Sequence, residues 1–465
     1  MEKEQQSELG TKPIGKLLFK LAVPCICAQL VNMLYNIVDR IFIGNIPNIG
    51  SDALTGVGVT FPVIMLISAF SALIGMGGGP RASIAMGEKR NDDAEKILTN
   101  CFVALIGIAL LLTVFFSVFN KPLLLKFGAN EDTIGYASNY LSIYVLGTVF
   151  VQISLGMNGF ITAQGKAGYA MATVCIGAII NIILDPILIF GFNMGVKGAA
   201  IATVCSQMIS AIWVLIFFNS KHTNLHLRKK YAKIQPKILM PCIALGLSPF
   251  VMQSTESLLS VTFNVSLLKY GGKTAVGAMT IITSLSQILS LPLMGLSQGS
   301  QPILGYNYGA CNTERMKKIV KLTAITAITF STLFWIATLT IPYQMASLFN
   351  SEDAALLEKT VWAMKIYFAV GFVFGVQNTF QQSFVALGEA KISLFLALLR
   401  KIILLIPLIL ILPNFFEDKV FAVFLAEPIA DFLAASTTTT FFVIRFKQIL
   451  KQTEQKRELR SKNVE

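Results

Sequence analysis

Asp39, Asp185 and Glu256 are carboxylates set inside apolar runs, and each has amide or hydroxyl side chains beside it at helical spacing. In NMLYNIVDRIFI (32–43), Asn32, Asn36 and Asp39 fall at i, i+4 and i+7, so a helix gathers them into one polar stripe with Tyr35 beside it. In NIILDP, Asn181 and Asp185 are i and i+4, and Thr203 follows in the next apolar run. An ionised carboxylate inside a bilayer costs several kcal/mol unless something compensates it. Two carboxylates brought together in a poorly solvated place cannot both stay ionised, so such a pair can hold a proton. With the oxygens of Asn181 and Thr203 added, the same groups could instead coordinate Na⁺. The blander alternatives are a boundary acid at Asp39 with Arg40 reaching outward, a structural Asp185, and interhelical glue at Asn36 and Thr203.

Depth supports a shared layer. Asp39 precedes Asn45 by six residues, Asp185 precedes Asn193 by eight, and Thr203 follows Lys197 by six. At about 1.5 Å per residue, all three lie roughly 9–12 Å below one surface. Pro186 directly follows Asp185, so a kink is expected beside the acid. Later in the chain Gln253, Glu256, Ser260 and Asn264 make a second stripe, repeated by Thr280, Ser284 and Gln287. Glu427 and Asp431 are i, i+4 near the end, facing either a cleft or the interface. Met33, Met157, Met252, Met279 and Met294 could line an adaptable pocket.

The elements that must position these residues are membrane helices. The 465-residue chain is 54% hydrophobic and 14% charged, with a mean hydropathy of +0.67. Its charges cluster between runs long enough to cross a bilayer. Twelve such runs are expected near 17–43, 53–75, 97–119, 136–162, 168–192, 196–218, 238–268, 275–298, 319–341, 361–386, 392–413 and 420–444. The net charge of +13 sits mainly in the tails and in segments read as loops near 81–96, 166, 221–237, 315–321 and 391–401. That bias places both termini in the cytoplasm, in a cell inner (plasma) membrane protein. Nucleic acid is not an expected partner, because the basic island 221–237 lacks interleaved aromatics. The polar N-terminal stretch reads as an uncleaved tail approaching the first helix. Seven cysteines, mostly within apolar runs, and two loop histidines predict neither disulfides, nor a structural metal, nor a cofactor.

The chain also repeats itself. GMGGGPRASIAMGEKRNDDAEKI (75–97) matches SQGSQPILGYNYGACNTERMKKI (297–319), aligning Gly77 with Gly299 and Pro80 with Pro302. IYVLGTVFVQISLGMNGFITAQGKA (143–167) matches IYFAVGFVFGVQNTFQQSFVALGEA (366–390) at nearly the same offset. The predicted architecture is therefore all-α and polytopic, with twelve helices in two six-helix lobes related by a pseudo-two-fold axis along the membrane normal. The first lobe spans 1–220 and a basic linker 221–237. The second lobe spans 238–465 with its basic tail. No nucleotide-binding motif is present, so an ion gradient is the expected energy source.

MLYNIVDRIFIG, GGPRASIAMGEKR, NIILDPILIFGF with GVKGAAIAT, and QGSQPILGYNYGA together resemble the multidrug and toxic compound extrusion (MATE) family over about residues 14–445. The resemblance implies export of cationic or amphipathic organic compounds in exchange for H⁺ or Na⁺. It implies that Asp39 works with Asn181, Asp185 and Thr203 as the cation site, with Asn32, Asn36 and Asn158 near it. Glu256 matches an acid used in the second lobe of some members. The tenth-helix stretch FGVQNTFQQSF (374–384) lacks the aspartate that those members add. The expected protein is thus a monomeric secondary antiporter in lipid and not an enzyme. Its substrate path holds Asn32, Tyr35, Asn36, Asn158, Gln253 and Gln287. The alternative is a flippase for a lipid-linked sugar or peptidoglycan precursor, which would want a basic cleft, whereas the predicted spans hold very few Lys or Arg.

Overall fold

A computed structural model describes residues 8–349 and 353–462, so most of the polar stretch before the first helix lies outside it. Among the described residues nine helices are long and apolar enough to cross a membrane, and two bent helix pairs add one span each. One of the nine, Pro236–Gly309, is a double span, because Gly272 breaks it at a φ of 65° that L side chains resist. Twelve spans result. They are α1 (Ile14–Gly44), α2 (Gly50–Gly87), α3 (Asn91–Val118), α4 (Ile134–Leu146 with Thr148–Ala163), α5 (Ala167–Gly191) and α6 (Val196–Asn219). The second set is α7 (236–271), α8 (273–309), α9 (Thr313–Thr340), α10 (Ala354–Tyr367 with Gly371–Ala386), α11 (Ala390–Asn414) and α12 (Lys419–Lys462).

The helices outrun the apolar stretches that announce them. Residues 81–87, 315–321 and 391–401, expected in loops, are helical turns of α2, α9 and α11. Only 88–90 links α2 to α3. Backbone hydrogen bonds continue a helix whether or not its side chains are apolar, so hydropathy marks the hydrocarbon slab rather than the helix end.

Helices α1–α6 make one lobe and α7–α12 the other, each with its own apolar core. The repeat is visible in their shapes: α4 bends by 59° and α10 by 55° at matching places. The lobes close on each other toward the face that carries Ile14 and the end of α12, called the terminal face below. There Leu17, Leu21 and Cys25 of α1 share one buried cluster with Leu289, Leu293 and Leu296 of α8. A Cβ on Gly77 would overlap the Cys242 carbonyl of α7, and one on Gly299 would overlap Ala22 of α1. The two repeat glycines thus let α2 meet α7 and α8 meet α1 backbone to backbone.

The segment 221–237 is tied down along the first lobe. Gln164 Oε1 accepts hydrogen bonds from Thr223 Oγ1 (2.9 Å) and from the backbone N–H groups of Asn224 (2.7 Å) and Leu225 (3.1 Å). Glu95 accepts from the His226 N–H and from Arg228 Nε, both at 3.0 Å, and Asn100 Oδ1 accepts from the Gln235 N–H at 2.6 Å.

Candidate functional site

Three helices of the first lobe bring four polar side chains to one buried point. Asp39 comes from α1, Asn181 and Asp185 from successive turns of α5, and Thr203 from α6. Small residues make the approach possible: Gly177 of α5 lies against Ser210 of α6 with no room for a Cβ between them. Asn181 Nδ2 donates to Asp185 Oδ1 at 3.3 Å and to Thr203 Oγ1 at 3.5 Å. Asp185 and Asn181 are fully buried and Asp39 is 9% exposed. The two carboxyl groups stand within hydrogen-bonding reach of each other.

Asp39 Oδ1, Asp185 Oδ2 and Asn181 Oδ1 receive no hydrogen bond from any described residue. Buried acceptors without donors are costly, and two adjacent carboxylates add mutual repulsion. A proton between the carboxyls, or a small cation taking these oxygens, relieves both. The kink expected at Pro186 takes another form. The helix continues as wider π turns over Ile187–Gly191, next to the proline that lacks an N–H.

Sequence reasoning missed two members of this neighbourhood. Tyr140 and Tyr144 of α4 are buried with rings stacked at 6.2 Å, and the Tyr140 hydroxyl lies beside Thr203. Both stand within electrostatic reach of Tyr35, and Asp39 lies within reach of Tyr35 and Tyr140. Their i, i+4 spacing in YLSIY was the available signal, hidden because tyrosine is ordinary in membrane helices.

Asn32 and Asn36 are exposed, and Asn36 Nδ2 donates to the Asn32 carbonyl at 2.6 Å. They sit outward of the hydrogen bond between Gln29 Nε2 and Gln298 Oε1 (3.0 Å), which joins the lobes. Together with the edge-to-face pair Phe70–Phe250 (5.1 Å), that bond joins the two lobes about midway along α1, α2, α7 and α8. Glu256 and Gln287 are exposed and Gln253 half-buried on the second-lobe helices α7 and α8. Asn158 does not join the acid site. Its amide donates to the Ala170 carbonyl near the start of α5, about 22 Å along that helix from Asp185. Met157 and Met279 are packed in the lobe cores rather than lining a pocket.

The second lobe departs most from expectation. Arg400 and Lys401, read as part of a loop, lie in the middle of α11 where π turns run over Leu399–Leu405. Lys401 Nζ forms an ion pair with Glu256 and donates to the Met252 carbonyl at 2.6 Å. Arg400 binds Asp431 Oδ1 at 2.6 Å and Glu427 Oε1 at 3.1 Å. Glu427 and Asp431 are therefore buried partners of an arginine, not interfacial acids. The spans do contain basic side chains, and acids cover Arg400 and Lys401. Both residues interrupt the apolar run 392–413, but counted with Lys391 they pass for part of a basic island.

The MatE family model matches residues 24–187 and again 249–411 of this chain, once in each lobe. The chain is 27% identical over 436 residues to the multidrug export protein MepA of Staphylococcus haemolyticus (strain JCSC1435), covering 93% of this chain and 95% of that one. It is 28% identical over 418 residues to MepA of Staphylococcus aureus (strain N315), with 90% and 91% covered. Among solved structures, the MATE multidrug transporter DinF-BH is 34% identical, with a TM-score of 0.88 over 96% of this chain and 99% of that one. An outward-facing multidrug resistance MATE family transporter shares the fold at a TM-score of 0.89 and 21% identity, over 97% and 99%.

Proposed function

Because the chain belongs to the MatE family of multidrug efflux transporters, a multi-pass membrane family, we propose that it works as an antiporter, expelling cationic or amphipathic organic compounds in exchange for H⁺ or Na⁺. One observation carries this reading. The Asp39–Asn181–Asp185–Thr203 cluster holds three donor-free oxygens in a buried layer shared by three helices of the first lobe. The relatives described as multidrug exporters support the direction of transport.

In this reading both termini lie in the cytoplasm of a plasma-membrane protein, as the basic bias of the terminal face favours. The lobes, closed on each other at the terminal face, then part toward the outside, and an external cation reaches Asp39 and Asp185 first. Its binding removes the repulsion between the carboxylates and lets α1 and α5 pack more tightly. The π turns after Asp185 supply a place where α5 can change register. A cation shifts the outward–inward equilibrium only through its different affinity for the two states, so the site must be remade on closure.

The test is dye transport by the full chain in proteoliposomes under separately imposed pH and Na⁺ gradients. Wild type should accumulate dye under one gradient, and Asp39→Asn and Asp185→Asn should each abolish that drive while dye still binds. Undiminished gradient-driven transport in both variants would refute the assignment.

A further inference from the structure

The exposed acid of α7 already holds a cation, and that cation is a side chain. Lys401 is 4% exposed at the side chain, whereas its partner Glu256 is 66% exposed and open to a ligand. Behind them, Arg400 spans Asp431 and Glu427 and lies over the Phe374 ring at 5.2 Å. The group contains three carboxylates, Glu256, Glu427 and Asp431, but only two tethered cations, Arg400 and Lys401. Lys401 also lies within electrostatic reach of Glu427.

Helix α10 supplies a further acceptor here. Phe374 contacts Arg400, and Gln381 Nε2 donates to Met252 Sδ at 3.2 Å, beside the carbonyl that holds Lys401. Gln377 lies between them on the same helix face, buried, and its Oε1 receives no hydrogen bond from any described residue.

Resting on the efflux reading above, we propose that Lys401 is an internal competitor for Glu256. A monocationic substrate takes Glu256 by displacing the ammonium, which turns toward the Glu427–Asp431 pair past Gln377. Three carboxyl groups then face three positive groups, two of them tethered. Lys401 is thereby a specificity-determining residue: it sets the affinity threshold for cations and leaves neutral ligands unaffected. The exchange breaks and forms ion pairs only, with no proton or covalent bond transferred.

The experiment is calorimetric binding of tetraphenylphosphonium, a monocation, and of neutral triphenylphosphine oxide to the purified full-length protein. Lys401→Met should bind the cation roughly tenfold more tightly and the neutral probe unchanged, and Lys401→Arg should stay near wild type. Glu256→Gln should weaken only the cation, and Lys401→Met with Glu256→Gln should lose the tenfold gain. An unchanged affinity in Lys401→Met, an equal gain for both probes, or a gain that survives in the double variant would overturn the proposal. If Lys401→Met does not fold, Glu256→Gln decides alone, and equal cation affinity there overturns it. A wild type that binds neither probe would instead remove the efflux reading, and the proposal with it.

Discussion

Replacing Arg400 by methionine isolates one energetic term, because the shape changes little and the charge disappears. Its guanidinium is 15% exposed, and its partners Glu427 and Asp431 are 8% and 12% exposed at the side chain. Removing one member of a buried ion pair leaves an uncompensated charge and costs about 3–5 kcal/mol. Here two carboxylates lose a shared partner, so the upper part of that range is expected. Since proteins have only about 5–15 kcal/mol of stability, Arg400→Met should lose a third or more of it. The informative control is Arg400→Met combined with Glu427→Gln and Asp431→Asn. This triple variant removes all three charges of the arginine and its two partners, and its residual cost is a few unmet hydrogen bonds, about 1–3 kcal/mol. The assay is thermal and denaturant unfolding in detergent, with tryptophan fluorescence as the signal. The midpoints should rank wild type above the triple variant, and the triple variant above Arg400→Met. A single variant within about 1 kcal/mol of wild type would refute the reasoning. So would a triple variant less stable than the single one.

Other outcomes follow from named contacts. A Cβ on Gly246 would fall on the Leu73 carbonyl, backbone against backbone, so Gly246→Ala should cost about 1–3 kcal/mol and shift the lobes apart at the terminal face. Distance measurements between spin labels on α2 and α7 check this, and unchanged distances together with unchanged stability would contradict it. Gln164→Leu removes the acceptor of three hydrogen bonds and should raise hydrogen exchange at 223–225 without unfolding the lobe. The ammonium groups of Lys12 and Lys20 hold the Glu8 carboxyl down at about 2. Because this folded value lies below the ordinary one of 4.5, the stabilisation is complete above about pH 4.5 and is lost as pH falls toward 2. These groups are about half exposed, so the loss should stay below about 1 kcal/mol. Glu8→Gln should abolish the pH dependence of exchange at residues 8–12, and a dependence that persists would assign it elsewhere.

The sequence by itself determined the class of the protein. Twelve apolar runs, an offset repeat and a basic bias follow from local composition, because a bilayer imposes its thickness and its charge asymmetry on each segment separately. It also placed Asp39, Asp185 and Thr203 at one depth, since rise along a helix is fixed at about 1.5 Å per residue. Depth says nothing about rotation or partners. Spacing set Asn181 one turn before Asp185, but only the tertiary structure gave the contacts of Asn181 with Asp185 and Thr203, added Tyr140 and Tyr144, and moved Asn158 to the other end of α5. The second lobe makes the same point more sharply. Hydropathy runs a span through 392–413 while the count of basic residues reads 391–401 as a loop, because neither can see that acids on two other helices neutralise Arg400 and Lys401. Pairing across helices is a long-range property, and it alone makes two basic residues tolerable in the middle of a membrane span.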